Sequence, residues 1–175
     1  KKIKIKLILI NKKKNNLLFK KLKNKYFNSD GAIENLNFAY EIAKKLKIDD
    51  KTIFKAINNF KGLPHRQEVV FSNKNLICVN DSKATSFDAS LQSLLGFNRI
   101  YWILGGQPKY QDYFNLKKIN KKIVKAYVIG EHTSFFKKKI KKYIKYKISK
   151  NIKTAINDIF EDLKINPKNK KTILF

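Results

Sequence analysis

Three short polar runs hold the residues of this chain that are able to do chemistry: Gly62-Leu63-Pro64-His65-Arg66, Asn80-Asp81-Ser82-Lys83-Ala84-Thr85 and Gly105-Gly106-Gln107-Pro108-Lys109. The second puts a carboxylate, an ammonium and two hydroxyls between a strand-like run and a helix-like one. Such a loop can bind an anion through Lys83, Ser82, Thr85 and the unpaired N–H groups of a helix start. It can equally be a capping loop, with Asp81 or Ser82 closing the first helical turn. In the third run, Gly105-Gly106 lets backbone approach a ligand and Lys109 can reach an anion, yet Gly-Gly with a following Pro is also an ordinary turn. In the first run, His65-Arg66 lies beside a predicted domain boundary, where the histidine can be structural and the arginine can tie two domains together.

The elements around these runs follow from hydrophobic spacing. Ile33, Leu36, Phe38, Ala39, Ile42, Ala43 and Leu46 predict a helix over 33–46, with Asp30-Gly31 as cap and turn. A second helix is predicted over 50–60, capped by Asp49 or Asp50. Gly62 and Pro64 then break the chain, and the boundary is placed there, giving domains 1–64 and 65–175. Beyond it the pattern becomes α/β. A hairpin over 68–79 turns at Ser72–Asn75, and a helix covers 87–97. The apolar runs 100–104 and 126–129, each followed by glycine, predict central parallel strands. A lysine-rich helix over 134–146, a short strand near Ile148, a helix over 152–163 and a strand at 172–175 complete a mostly parallel, doubly wound sheet. In such sheets, ligands bind in the loops after the strands' carboxyl ends, so Lys83, Thr85 and Lys109 are expected to face one shared space. The alternating Ile3, Ile5 and Leu7 at the start and the apolar stretch at the end predict strands without flanking turn signals. The expectation is a fragment of a longer protein.

Composition bounds the function. The chain has 175 residues, 40 Lys+Arg against 13 Asp+Glu and a formal net charge of +27. With 43% hydrophobic residues it can bury a core, which argues against disorder. Arg66 and Arg99 are the only arginines. Base readers and phosphate clamps favour arginine for its planar fork, so scattered lysine argues against a specific nucleic-acid partner. A basic nucleic-acid-binding module is the reading from another class. No apolar stretch approaches the ~18 residues of a membrane span, and no membrane partner is expected. The single cysteine, Cys78, excludes an internal disulfide and a Cys-rich zinc site and fits a reducing, cytoplasmic compartment.

Taken in order and spacing, GLPHR-x-E at 62–68, NDSKAT at 80–85 and Leu-Gly-Gly at 104–106 with Lys109 resemble the Mur ligase family, and within it the branch that adds D-glutamate. The segment Ile33-Glu34-Asn35 is similar to the family's His-Asn-x-x-Asn motif, with Gly31-Ala32 standing where His-Asn is usual. Gln107-Pro108 replaces an acidic-glycine pair, and Gln67 follows Arg66 where an aromatic is frequent. The resemblance implies a Rossmann-like C-terminal domain preceded by the end of a central ATPase domain. It implies an ATP- and Mg2+-dependent amide-bond-forming ligase of peptidoglycan synthesis, monomeric at full length, joining D-glutamate to UDP-MurNAc-L-alanine through an acyl-phosphate. A family member using a different amino acid is the nearest alternative. By the same resemblance Asn35, His65, Arg66 and Asp81 face the nucleotide, and Lys83, Thr85 and Lys109 face the substrates. No catalytic residue and no metal ligand is assigned within the chain, which is expected to be inactive alone.

Overall fold

In the computed structural model, residues 15–19, 22–27, 30–109, 115–165 and 169–175 are described, and the strand expected around Ile3–Leu7 lies outside them. The chain divides into two compact units, Lys1–Lys61 and Gly62–Phe175.

The first unit is helical: α1 (Asn16–Phe19), a 3-10 turn at Lys25–Phe27, α2 (Asp30–Lys45) and α3 (Asp50–Asn59). Helix α2 starts three residues before the predicted position, so Asp30 and Gly31 are helical rather than a preceding turn. Asp49 caps α3 by accepting the Thr52 amide at 2.9 Å, which satisfies one of the helix's open donors. Phe19, Leu36, Tyr40, Ile53 and Ile57 form a small core. The Asn24 amide donates to the Ile57 and Phe60 carbonyls, both at 2.7 Å, and so closes the end of α3.

The second unit holds β1 (Glu68–Ser72), β2 (Leu76–Asn80), α4 (Phe87–Gly96), β3 (Ile100–Gly105), β4 (Ile123–Ile129), α5 (Thr133–Ile140), β5 (Tyr146–Ile148), α6 (Ile152–Ile165) and β6 (Lys171–Leu174). Its six-stranded sheet runs β1-β2-β6-β3-β4-β5. Only the β1–β2 hairpin is antiparallel, and every other pairing is parallel. The hairpin turn is held by Asn73, whose side chain accepts the Asn75 and Leu76 amides, both at 2.8 Å.

Alternation along β3 sorts the core into two layers. Trp102 and Leu104 pack with Val79, Leu94, Val128 and Phe136 beneath α4 and α5. Tyr101 and Ile103 pack with Tyr127, Ala155, Ile159 and Ile173 beneath α6. Leu94 and Ile159 are fully buried, each worth about 1.5–3 kcal/mol relative to exposure. Both faces of β3 are therefore covered, which is why its sequence is a continuous apolar run.

One predicted element is shorter than expected. The helix over 134–146 ends at Ile140, and Lys141–Lys145 turns into β5. Ile140, Tyr143 and Ile144 keep a helical spacing, but the turn folds Ile144 back into the core at 5% exposure. Packing overrides a periodicity that no Gly or Pro interrupts.

Candidate functional site

The topology gathers the polar loops at one end of the sheet. Strands β2, β6, β3 and β4 are mutually parallel, so the loops after β2 and β3 leave from the same edge. Between them lies a cavity of about 550 Å³. Thr85, Gly106 and Lys109 bring polar groups to its wall, and Phe87, Trp102 and Phe136 form apolar lining. Lys109 Nζ donates to Thr85 Oγ1 at 3.4 Å, so the two loops meet through these side chains. Lys109 is exposed and keeps donors for a ligand.

Lys83 does not join them. It is exposed and is not among the cavity-lining residues, and its backbone N–H donates to the His65 carbonyl at 3.0 Å. The expected shared space thus holds Thr85 and Lys109 without Lys83.

The glycines at this edge are required by geometry. A Cβ on Gly105 would lie 2.3 Å from the Ile129 carbonyl oxygen, so β4 leaves no room for a side chain. Gly106 has φ of +107°, which L side chains rarely adopt, and this turn aims the following residues over the cavity.

The His65–Arg66 segment is fastened to the β2–α4 loop from several directions. The His65 amide donates to Glu68 Oε2 at 2.8 Å, and its ring Nδ1 lies 2.8 Å from Asn80 Nδ2. The Gln67 amide donates to Asp81 Oδ1 at 3.0 Å. His65 and Gln67 both have positive φ, of 61° and 49°. Two left-handed non-glycine residues around Arg66 are costly locally and persist because these bonds fix them. The result is an exposed Arg66 whose guanidinium has no partner among the described residues.

Asp81 is 8% exposed, and its second oxygen accepts the hydroxyl of Ser93, which is fully buried on α4. The carboxylate therefore joins three elements: the segment after Arg66, the loop after β2 and α4. It does not cap α4. Ser86 does, accepting the Ala89 amide at 3.1 Å. Ser93 went unnoticed in the sequence; its signal is a lone hydroxyl between Leu91 and Leu94 on an apolar helix face. In the first unit, Asn35 is exposed on α2. Among the described residues there is no group of three or more His, Cys, Asp or Glu able to hold a metal ion.

Comparison with known proteins places this arrangement. The chain is 38% identical over 141 residues to the UDP-N-acetylmuramoylalanine–D-glutamate ligase of Wolbachia sp. subsp. Brugia malayi, covering 81% of this chain and 28% of that protein. The protein of the same name from Rickettsia prowazekii is 33% identical over 160 residues, covering 91% of this chain and 36% of its own length. This chain belongs to the Mur ligase family. No protein-family model matches it. The Mur ligase chain spans about a third of the length of the curated relatives it matches.

Solved Mur ligase structures share the fold. MurF from Acinetobacter baumannii superposes with a TM-score of 0.62 at 16% identity, over 83% of this chain and 34% of that one. UDP-N-acetylmuramate-alanine ligase MurC from Thermotoga maritima gives 0.58 at 15% identity, over 83% and 34%. The mostly parallel six-stranded sheet is that of the Mur ligase C-terminal domain.

Proposed function

We propose that this Mur ligase chain is part of the cytoplasmic enzyme that joins D-glutamate to UDP-MurNAc-L-alanine in peptidoglycan synthesis. In that reaction ATP would transfer its γ-phosphoryl group to the substrate carboxylate, releasing ADP and leaving an acyl-phosphate, and the amine of D-glutamate would then form the amide bond as phosphate departs; Mg2+ would neutralise charge on the phosphates. In this reading residues 1–64 are the end of the central ATPase domain and residues 65–175 belong to the C-terminal domain.

The observation that carries the reading is the meeting of Lys109 and Thr85 over the cavity at 3.4 Å, on a fold whose curated relatives are D-glutamate ligases. An ammonium and a hydroxyl side by side suit a carboxylate, which accepts from both. Lys109 holds the charge, Thr85 sets its direction, and Gly106 keeps the backbone out of the way. Lys83, on the far side of the same loop, is proposed to serve the nucleotide-linked substrate. Asn35, His65 and Arg66 are proposed for the nucleotide. Asp81, whose oxygens are engaged by Gln67 and Ser93, serves that group by fixing the segment that bears Arg66. With no group of three or more His, Cys, Asp or Glu among the described residues, the protein ligands of Mg2+ are proposed to come mainly from the rest of the enzyme.

The test is a titration of the labelled 175-residue chain with D-glutamate, L-glutamate and D-alanine, followed by amide and methyl NMR shifts. Shifts centred on Thr85, Gly106 and Lys109, largest with D-glutamate and lost in Lys109→Ala, support the reading. Equal shifts with all three ligands, or shifts elsewhere in the fold, overturn it.

A further inference from the structure

We propose that the β5 edge of the sheet is a docking surface for an anionic lipid bilayer. The inference departs from the sequence expectation of no membrane partner, stands apart from the ligase reading and rests on how charge is distributed. Between Lys137 and Lys153, nine of seventeen residues are lysine, and no Asp or Glu interrupts them. The chain as a whole has 40 Lys+Arg in 175 residues, so this stretch is more than twice as dense as the general lysine bias.

The fold turns that stretch into a surface. It comprises the last turns of α5, the connection to β5, the edge strand itself and the start of α6. Among the described residues β5 pairs only with β4 and is terminal in the sheet order, so no described strand covers its outer side. All nine lysines are exposed. Lys147 is paired with Asp158 at 2.7 Å, and among the described residues none of the other eight has a carboxylate partner. An uncompensated cluster of this kind is attracted to any densely anionic surface, at about 1 kcal/mol per lysine on an anionic membrane.

Two features favour lipid over nucleic acid. The exposed apolar residue on the edge strand is aliphatic: Ile148 is 50% exposed beside the lysines and can enter the acyl boundary. Single-stranded nucleic acid instead needs open aromatic faces to stack on. The rings here are half-buried and already covered, with Lys137 Nζ 5.9 Å from the Tyr146 ring centroid and Lys142 Nζ 5.9 Å from that of Tyr143. The stretch also lacks arginine, the residue that forks onto phosphates and bases, and offers hydrated point charges suited to a diffuse anionic plane. No helix among the described residues is long and apolar enough to cross a membrane, so the contact is peripheral.

The experiment is co-sedimentation of the 175-residue chain with vesicles of phosphatidylglycerol and phosphatidylcholine at about 3:7, against pure phosphatidylcholine, over a salt series. The edge variant K138Q/K141Q/K145Q/K150Q removes four exposed lysines that have no described side-chain partner. The control K45Q/K51Q/K55Q/K61Q removes the same charge from exposed sites in the first unit. Matching melting curves confirm folding. Partition to anionic vesicles is expected to fall at least about tenfold in the edge variant and less than about threefold in the control. I148S is expected to weaken vesicle binding while leaving binding to poly(U) RNA unchanged. Equal losses in edge and control variants would show net charge without a surface, and overturn the proposal. So would an I148S chain that partitions like the parent, or tighter binding to poly(U) through the same lysines.

Discussion

Ser93 donates its hydroxyl to the carboxylate of Asp81, and both are buried. This bond joins α4 to the loop after β2, and Asp81's other oxygen holds the Gln67 amide beside Arg66. Ser93→Ala leaves a buried carboxylate oxygen without its donor, at a cost of about 1–3 kcal/mol. Urea unfolding is expected to show that loss. Amide exchange at Gln67 is expected to quicken in the same variant, and unchanged exchange there would separate Ser93 from the Arg66 segment.

Gly105 offers a purely steric prediction. A methyl group there meets the Ile129 carbonyl at 2.3 Å, so β3 and β4 must separate locally. Gly105→Ala is expected to destabilise the chain by about 1–3 kcal/mol, as overpacking does. Thermal melting measures this directly, and an unchanged midpoint would contradict the described β3–β4 register.

Acid stability is expected to depend on Asp158. Hydrogen bonds from Lys147 at 2.7 Å and then from Ser149 at 2.6 Å hold its carboxyl below the usual value. A depressed folded pKa gives stability that is present above the unfolded value of about 4 and is lost as pH falls through the lower folded value. Asp158→Asn is therefore expected to flatten the fall in stability below about pH 4. Denaturant midpoints from neutral pH downward would show it. Parallel acid limbs in parent and variant would contradict the assignment.

Much of this was legible in the sequence, for identifiable reasons. Strand β3 is buried on both faces, and its apolar run and terminal glycine mark it; β4 was legible only over 126–129, because its first three residues, Ile123-Val124-Lys125, include an exposed valine and a lysine. The hairpin was visible because Asn73 lies in a polar run between two short stretches, 68–71 and 76–79, rich in strand-forming residues. The end of α5 was hidden, since lysine is a good helix former and the chain turns at Lys141 without a glycine or proline. At the site, sequence order placed Thr85 and Lys109 at one sheet edge. It could not show that Lys83, two residues from Thr85, belongs to the side bound to His65, because that depends on how the loop is wound. The bond between Ser93 and Asp81 was likewise invisible, being a tertiary contact twelve residues apart.

The 175-residue chain is expected to show no ligase turnover by itself. It contains no G-x-x-x-x-G-K phosphate loop, and phosphoryl transfer depends on such positioning groups. A phosphate-release assay with ATP, Mg2+, D-glutamate and UDP-MurNAc-L-alanine checks this, and turnover would show that the reaction is carried within these residues.

The most direct measurement replaces the matched 141-residue stretch of the Wolbachia ligase with that of this chain and follows phosphate release as each amino acid is varied. The folded chimera is expected to depend on D-glutamate. In it, Lys109→Ala is expected to raise the KM for D-glutamate by roughly ten- to a hundredfold, the equivalent of one charge-assisted contact of about 1.5–3 kcal/mol, with the KM for ATP little changed. A folded chimera that ignores D-glutamate, or one in which Lys109→Ala leaves that KM unchanged, would contradict the account.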